Sequence, residues 1–211
     1  MLITKYGHCC LLIEEGGLRM LTDPGSYSTL PDGLDSIDLV LVTHEHQDHL
    51  HVGSLKVVLQ NNPQAKVITN KSVGSLLEKE GIAYQLIEAG QDMIEKGVLI
   101  EGFGKEHATI YPTIPLTENI GFFIANKLFY PGDALTEPGK EIEILALPVA
   151  GPWLKLSEAI DYALKLKPKV CFPVHDGILK NPGMAHRISG TVLDPKGIKF
   201  EVLEQAREYA F

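Results

Sequence analysis

The sequence predicts an α/β fold in which two mixed β-sheets pack face to face and carry helices on their outer sides. Three observations predict it. The chain up to residue 42 alternates short apolar runs with turns, and from residue 51 helical stretches alternate with apolar strands. After residue 98 the same scheme of strands followed by βα units begins again, without evident sequence identity between the halves. Strands that are apolar along their whole length need cover on both faces, which a sheet-on-sheet core and outer helices supply.

The elements follow in order. Residues 2–6, 9–13 and 18–21 read as strands, separated by turn chemistry at Glu15-Gly16-Gly17 and Asp23-Pro24-Gly25. The β-branched and leucine-rich run 37–42 reads as a buried strand. Residues 51–60 predict a helix, 65–69 a strand, 72–80 a helix that Gly81 stops, and 83–87 a strand. A second β-rich stretch has strands at 98–104, 120–125, 128–130 and 142–147, then a helix at 157–166 and a strand at 170–173. No linker or low-complexity segment divides the chain, so it reads as one domain over residues 1–211.

Composition narrows the function classes. The 211 residues are 45% hydrophobic and 22% charged, enough for a sizeable core. Nineteen basic against twenty-seven acidic residues give a formal charge of -8 with no Lys/Arg block, which argues against long nucleic acid as a partner. A locally positive metal pocket can still take a small anionic substrate. The opening Met1-Leu-Ile-Thr-Lys-Tyr6 lacks the features of a signal peptide and no apolar run would span a bilayer, so the expectation is a soluble, cytoplasmic protein. Cys9, Cys10 and Cys171 make neither a disulfide framework nor a zinc knuckle and read as reduced core residues.

The chemistry is concentrated in Thr43-His-Glu-His-Gln-Asp-His-Leu50, directly after the 37–42 strand. Residues two apart point the same way in an extended segment, so His44 and His46 can converge on one ion while Asp48 and His49 turn toward a second. The residue four after His44 is Asp48, so the His-Glu-x-x-His helix of metalloproteases is not encoded. Four ligands on one loop do not fill two coordination shells. His107, Asp133 and His175 each follow a predicted strand and complete them. His44, His46 and His107 suit one ion, Asp48, His49 and His175 the other, and Asp133 can bridge both. Nitrogen and oxygen donors without thiolate fit two divalent ions, with Zn or Mn first and Fe or Ni also compatible.

The pattern His-x-His-x-Asp-His, a later His, a Gly-Asp and a Pro-x-His-x-Gly resembles the metallo-β-lactamase superfamily, from the first strands to Gly177. That resemblance implies an αββα sandwich with a dinuclear site at one edge of the two sheets. Tyr6-Gly-His-Cys9 and Leu21-Thr-Asp-Pro24 look like the stand-alone lactonase-like branch of metal-dependent hydrolases, the ascorbate-6-phosphate lactonase type. His8 matches a feature of that branch and is a candidate to back a ligand or touch substrate. Asp23 is a candidate to orient a ligand imidazole, with a plain Asp-Pro turn as the competing reading. Leu147-Pro-Val-Ala-Gly-Pro-Trp153 departs from the branch pattern, so no substrate contact carries over there. His51 has no role in the pattern, and His186 reads as surface.

The expected reaction is hydrolysis of a small ester, lactone or phosphodiester by a hydroxide held between the two ions, with Asp48 and Asp133 as the catalytic carboxylates. Gly-x-Ser-x-Gly is absent, so no serine nucleophile is invoked. Trp153, Lys155 and Lys105 are candidate substrate contacts, each equally readable as core edge or solvated surface. The competing classes are an iron oxidoreductase on the same fold, sulfur dioxygenase-like or di-iron, and a non-catalytic metal-binding protein. His46 argues against the flavodiiron version, which carries glutamate there.

Overall fold

The computed structural model describes residues 1–211. Its strands are β1 (Leu2–Lys5), β2 (Leu11–Glu15), β3 (Leu18–Thr22), β4 (Leu39–Val42), β5 (Lys66–Thr69), β6 (Gln85–Leu86) and β7 (Asp92–Glu95), with helices α1 (Val52–Asn61) and α2 (Lys71–Lys79) flanking β5 in sequence. β8 (Val98–Phe103), β9 (Gly121–Ile124), β10 (Leu128–Tyr130), β11 (Ile144–Pro148), α3 (Leu156–Leu166), β12 (Val170–Val174), α4 (Gly183–Leu193), β13 (Lys199–Phe200) and β14 (Glu208–Ala210) follow.

Seven strands form each of two sheets, in the orders β14-β1-β2-β3-β4-β5-β6 and β13-β12-β11-β10-β9-β8-β7. In the first, β14, β1, β2 and β3 pair antiparallel and β3 to β6 pair parallel. In the second, β7 to β10 pair antiparallel and β10 to β13 parallel. The repeated element scheme read in the sequence is thus a repeated pairing scheme. Helices α1 and α2 connect the parallel strands of one half, and α3 and α4 those of the other, as parallel neighbours require.

Alternation along the strands divides the core into three layers. On β4, Leu39 and Leu41 join Ile3, Met20, Phe122 and Tyr130 between the sheets. Val40 and Val42 point the other way and pack with Leu55, Val58 and Val73 under α1 and α2. In the second half Leu145 and Leu147 of β11 pack against Ala159, Ala163 and Leu193 under α3 and α4. Strands buried on both faces are the reason these runs are continuously apolar.

Boundaries move where side chains replace ladder bonds. β2 starts at Leu11 rather than residue 9, because the Thr22 hydroxyl donates to Cys9 O and accepts from Leu11 N–H. The strand predicted at 37–42 starts at Leu39, and the Asn62 side chain accepts from Ile37 N–H instead. His51 does not begin α1 but caps it, its Nδ1 accepting from Ser54 N–H at 3.2 Å. The edge strands β7, β13 and β14 carry no apolar run, and the sequence did not predict them. β14 returns the C-terminus to pair with Leu2–Thr4. All three cysteines are buried and free, and no helix is long and apolar enough to cross a membrane.

Candidate metal centre

Strands β1, β3 and β4 of one sheet and β8, β10 and β12 of the other end at a common edge, and each is followed within a few residues by a site side chain. His8 follows β1, Asp23 follows β3, the 44–49 loop follows β4, and His107, Asp133 and His175 follow β8, β10 and β12. Close backbone approach closes this edge. A Cβ on Gly25 would lie 1.8 Å from Asp48 O, and one on Gly132, whose φ is +64°, would lie 2.4 Å from Asn119 Oδ1. Glycine is required at both turns. His175, the residue directly after β12, also takes a left-handed φ of +60°, an uncommon conformation for a residue other than glycine.

The ligand-type atoms fall into overlapping groups, each with all atoms within 4.8 Å of one another: His44, His46 and His107; His8, Asp48, His49 and His175; and His44, His49 and Asp133. The structure therefore brings together all seven residues that the sequence singled out for two ions. Asp133 stands between the two sets. Its Oδ1 is 3.1 Å from His49 Nε2, and its Oδ2 is 2.8 Å from His175 Nε2 and 3.3 Å from His107 Nε2.

Hydrogen bonds behind the rings fix which nitrogen faces inward. His49 Nδ1–H donates to Asp23 Oδ2 at 2.7 Å, and His107 Nδ1–H donates to Ala108 O at 2.6 Å. His44 Nδ1 lies 3.0 Å from the Thr43 hydroxyl, which itself donates to Asp23 Oδ2 and so accepts from the ring. Three imidazoles thereby turn Nε2 toward one space, the arrangement by which backing acceptors set metal ligands. His44 Nε2 and His46 Nδ1 face each other at 3.1 Å. His49 Nε2, His175 Nε2 and Asp133 Oδ1 are buried without a hydrogen-bond partner. Buried, unpartnered ring nitrogens and carboxylate oxygens converge in this way where a cation satisfies them, so the donor set fits divalent metal.

Electrostatics agree with that fit. Burial, reinforced by neighbouring rings, holds His44 and His46 below the ordinary histidine range and keeps them neutral. Burial disfavours charge on His175 as well, but the Asp133 and Asp48 carboxylates outweigh it and push its pKa up to about 10. His49 is raised against its burial chiefly by Asp133. Burial would raise Asp133, yet His49, His107 and His175 hold its carboxyl well below the usual range. The carboxylates thus demand positive charge between the rings, which protons or a divalent ion can supply. Metal uptake at neutral pH should then displace protons from His175 and His49, and affinity should weaken as pH falls. Calorimetric titration of zinc in buffers of different ionisation enthalpy measures that release; uptake without proton release would contradict it.

Other expectations resolve differently. Asp23 is not merely a turn residue: besides His49 it accepts from Thr43 N–H at 2.8 Å, the Thr43 hydroxyl and the Tyr130 hydroxyl. Tyr130 lies in an apolar strand, and nothing in the sequence marked it. Trp153 is 9% exposed and donates its indole N–H to Asp133 Oδ2 at 2.8 Å, so it supports the carboxylate rather than offering a free face to substrate. Trp153→Phe should weaken metal binding about 10–100-fold. Trp153 is the sole tryptophan, so its fluorescence should follow metal uptake in the parent protein, with chelator competition giving the variant's affinity. Lys155 is 82% exposed beside Glu158 at the start of α3, whereas Lys105 lines a cleft of about 400 Å³ with Lys71, Glu88, Glu118 and Asn119. His186, expected at the surface, is half-buried, and its Nε2 lies 2.9 Å from Asp176 Oδ2. Asp176 also accepts from the buried Lys5 ammonium, which ties α4 and β1 to the His175 loop.

Comparison with known proteins matches residues 2–175 to the model of the Beta-lactamase superfamily domain. Protein Rv0786c of Mycobacterium tuberculosis is 33% identical over 216 residues, covering 100% of both chains. A UPF0173 metal-dependent hydrolase of Nanoarchaeum equitans is 31% identical over 193 residues, covering 83% of each. Among solved structures, Igni18, a metallo hydrolase of Ignicoccus hospitalis, superposes with a TM-score of 0.78 at 21% identity, covering 100% of this chain and 98% of that one, and shares the fold. A family match across most of the chain, with a relative a third identical from end to end, fixes the assignment: this protein belongs to the beta-lactamase superfamily.

Proposed function

We propose that this protein is a metal-dependent hydrolase of small ester, lactone or phosphodiester substrates, with two divalent ions held by His44, His46 and His107 on one side and Asp48, His49 and His175 on the other, and Asp133 between. The observation that carries the reading is the convergence of buried, unpartnered Nε2 and Oδ1 atoms on one space from both sheets. Relatives named metal-dependent hydrolases support it. Ions bound there would supply an acidified water and a polarised substrate oxygen.

The protein's own residues divide the remaining work. Asp133 is 2% exposed and hydrogen-bonded to Trp153, so it is placed to hold charge and not to exchange protons with solvent. The Asp48 side chain is 23% exposed and borders His8 and His175, so its carboxylate is placed to orient the attacking water at the solvent-facing side of the site. Burial would raise its carboxyl, but His175 and His8 outweigh that and hold it far below the usual carboxylate range, so it stays ionised and acts as a hydrogen-bond acceptor rather than a strong base. Asp23, through His49, and Ala108 O, through His107, keep the rings oriented.

The test is elemental analysis of protein purified without chelator or histidine tag, followed by assays on lactone, phosphodiester and thioester panels. Two equivalents of zinc or manganese with turnover support the reading. One equivalent of iron with oxygen consumption would replace it with a dioxygenase.

A further inference from the structure

His8 has the position of a metal ligand and the proton arrangement of a hydrogen-bond donor. Its Nε2 belongs to the same cluster as Asp48, His49 and His175, and the residue is 0% exposed. The other face of the ring is fixed by main chain. Gly177 N–H donates to His8 Nδ1 at 3.0 Å, and His175 N–H donates to His8 O at 3.1 Å. A backbone N–H can only give a proton, so Nδ1 presents its lone pair and the ring's one proton sits on Nε2. An Nε2 that carries hydrogen has no lone pair for a metal ion.

The ring cannot easily turn away from this arrangement. Gly7, at a φ of +112°, passes so close to Tyr27 that a Cβ would lie 2.6 Å from Tyr27 O. On the opposite side a Cβ on Gly177 would meet His8 Cβ and Nδ1 at 3.1 Å. His8 is therefore clamped between the 27–28 segment and the 175–177 loop, with the Tyr27 and His175 rings at centroid distances of 5.6 and 4.0 Å. The Nε2–H that remains is buried and has no hydrogen-bond partner. Asp48 Oδ2, at 3.3 Å, is near but not aligned. A buried donor left unpaired is costly, and such donors are kept where a ligand completes them.

We propose that His8 is a catalytic hydrogen-bond donor to substrate and not a fourth ligand of the Asp48 side. Its Nε2–H serves an oxygen acceptor: the carbonyl oxygen of an ester or lactone as it gains negative charge, or a phosphoryl oxygen. No proton is transferred; a preorganised donor stabilises charge on the bound oxygen. The identity of the acceptor rests on the hydrolase reading, but the position of the proton stands on the Gly177 contact alone.

The experiment combines three readouts on the full-length zinc-loaded protein. Long-range 1H–15N spectra of labelled protein, with His8 assigned from its loss in His8→Gln, should show Nε2 protonated and Nδ1 not. Elemental analysis should give the same zinc content in the parent, His8→Gln and His8→Phe proteins. Inorganic phosphate, titrated calorimetrically, should bind about tenfold or more weakly to His8→Phe, with partial recovery in His8→Gln, which keeps an N–H donor. An unprotonated Nε2, the loss of one zinc equivalent in either variant, or unchanged phosphate affinity in His8→Phe would overturn the proposal. If His8→Phe does not fold, the parent spectrum and His8→Gln decide. A parent protein that takes up no zinc would sink the hydrolase reading instead, and the spectrum would still report where the His8 proton lies.

Discussion

Asp133→Ala is expected to lower occupancy of both metal positions together and to cut turnover by about 10²–10³-fold or more, the scale for removing a preorganised group from a reacting site. The geometry leaves no substitute. Asp133 is the carboxylate that approaches both ligand sets, at 3.1 Å from His49, 2.8 Å from His175 and 3.3 Å from His107. Asp48 touches one set only, facing His8 and His175. Without Asp133 the clustered imidazoles lose the negative charge that offsets their mutual repulsion. The fold should survive, because Asp133 N–H is held independently by the Asn119 side chain at 3.0 Å. Elemental analysis measures the occupancy and circular dichroism the fold, and a folded variant with two ions and full activity would refute the bridging role.

Asp23 is expected to separate stability from metal affinity in two substitutions. Asp23→Ala removes the acceptor shared by Thr43, His49 and Tyr130 at a fully buried position, and should cost about 3–5 kcal/mol, as loss of one partner from a buried charged network does. Asp23→Asn keeps the volume and tolerates the positive φ of 35° at that residue. It loses the carboxylate behind His49, so metal affinity should fall about 10–100-fold. Urea denaturation and zinc titration of the two variants distinguish the effects. Equal zinc affinity in Asp23→Asn and the parent would mean that the Asp23–His49 contact does not tune the ligand.

Much of this protein was legible in its sequence because its strands are apolar on both faces and its chemistry is local. The runs at β4, β5, β11 and β12 announced sheets covered on both sides. His44, His46, Asp48 and His49 lie within one six-residue window, and His107, Asp133 and His175 each follow a strand. What escaped detection lacked such a signal. β7 and β14 are edge strands whose identity comes from the neighbour they pair with, Val98–Phe103 and Leu2–Lys5 respectively. Tyr130, Asn119 and Trp153 act on Asp23 and Asp133 through contacts between residues far apart in the chain, which no spacing rule encodes.

The sequence by itself determined the fold class, the repeated scheme of its two halves and the set of side chains able to hold metal, since strand periodicity and ligand chemistry are properties of neighbouring residues. Only the tertiary structure decided how those side chains face one another. Asp133 lies between the two sets because β10 ends opposite β4. Trp153 supports Asp133 because the loop after β11 folds over it. His8 is turned from apparent ligand to donor by one backbone N–H, from a residue 169 positions away. Proton positions and ring orientations follow from long-range packing, and packing exists only once the two sheets have closed on each other.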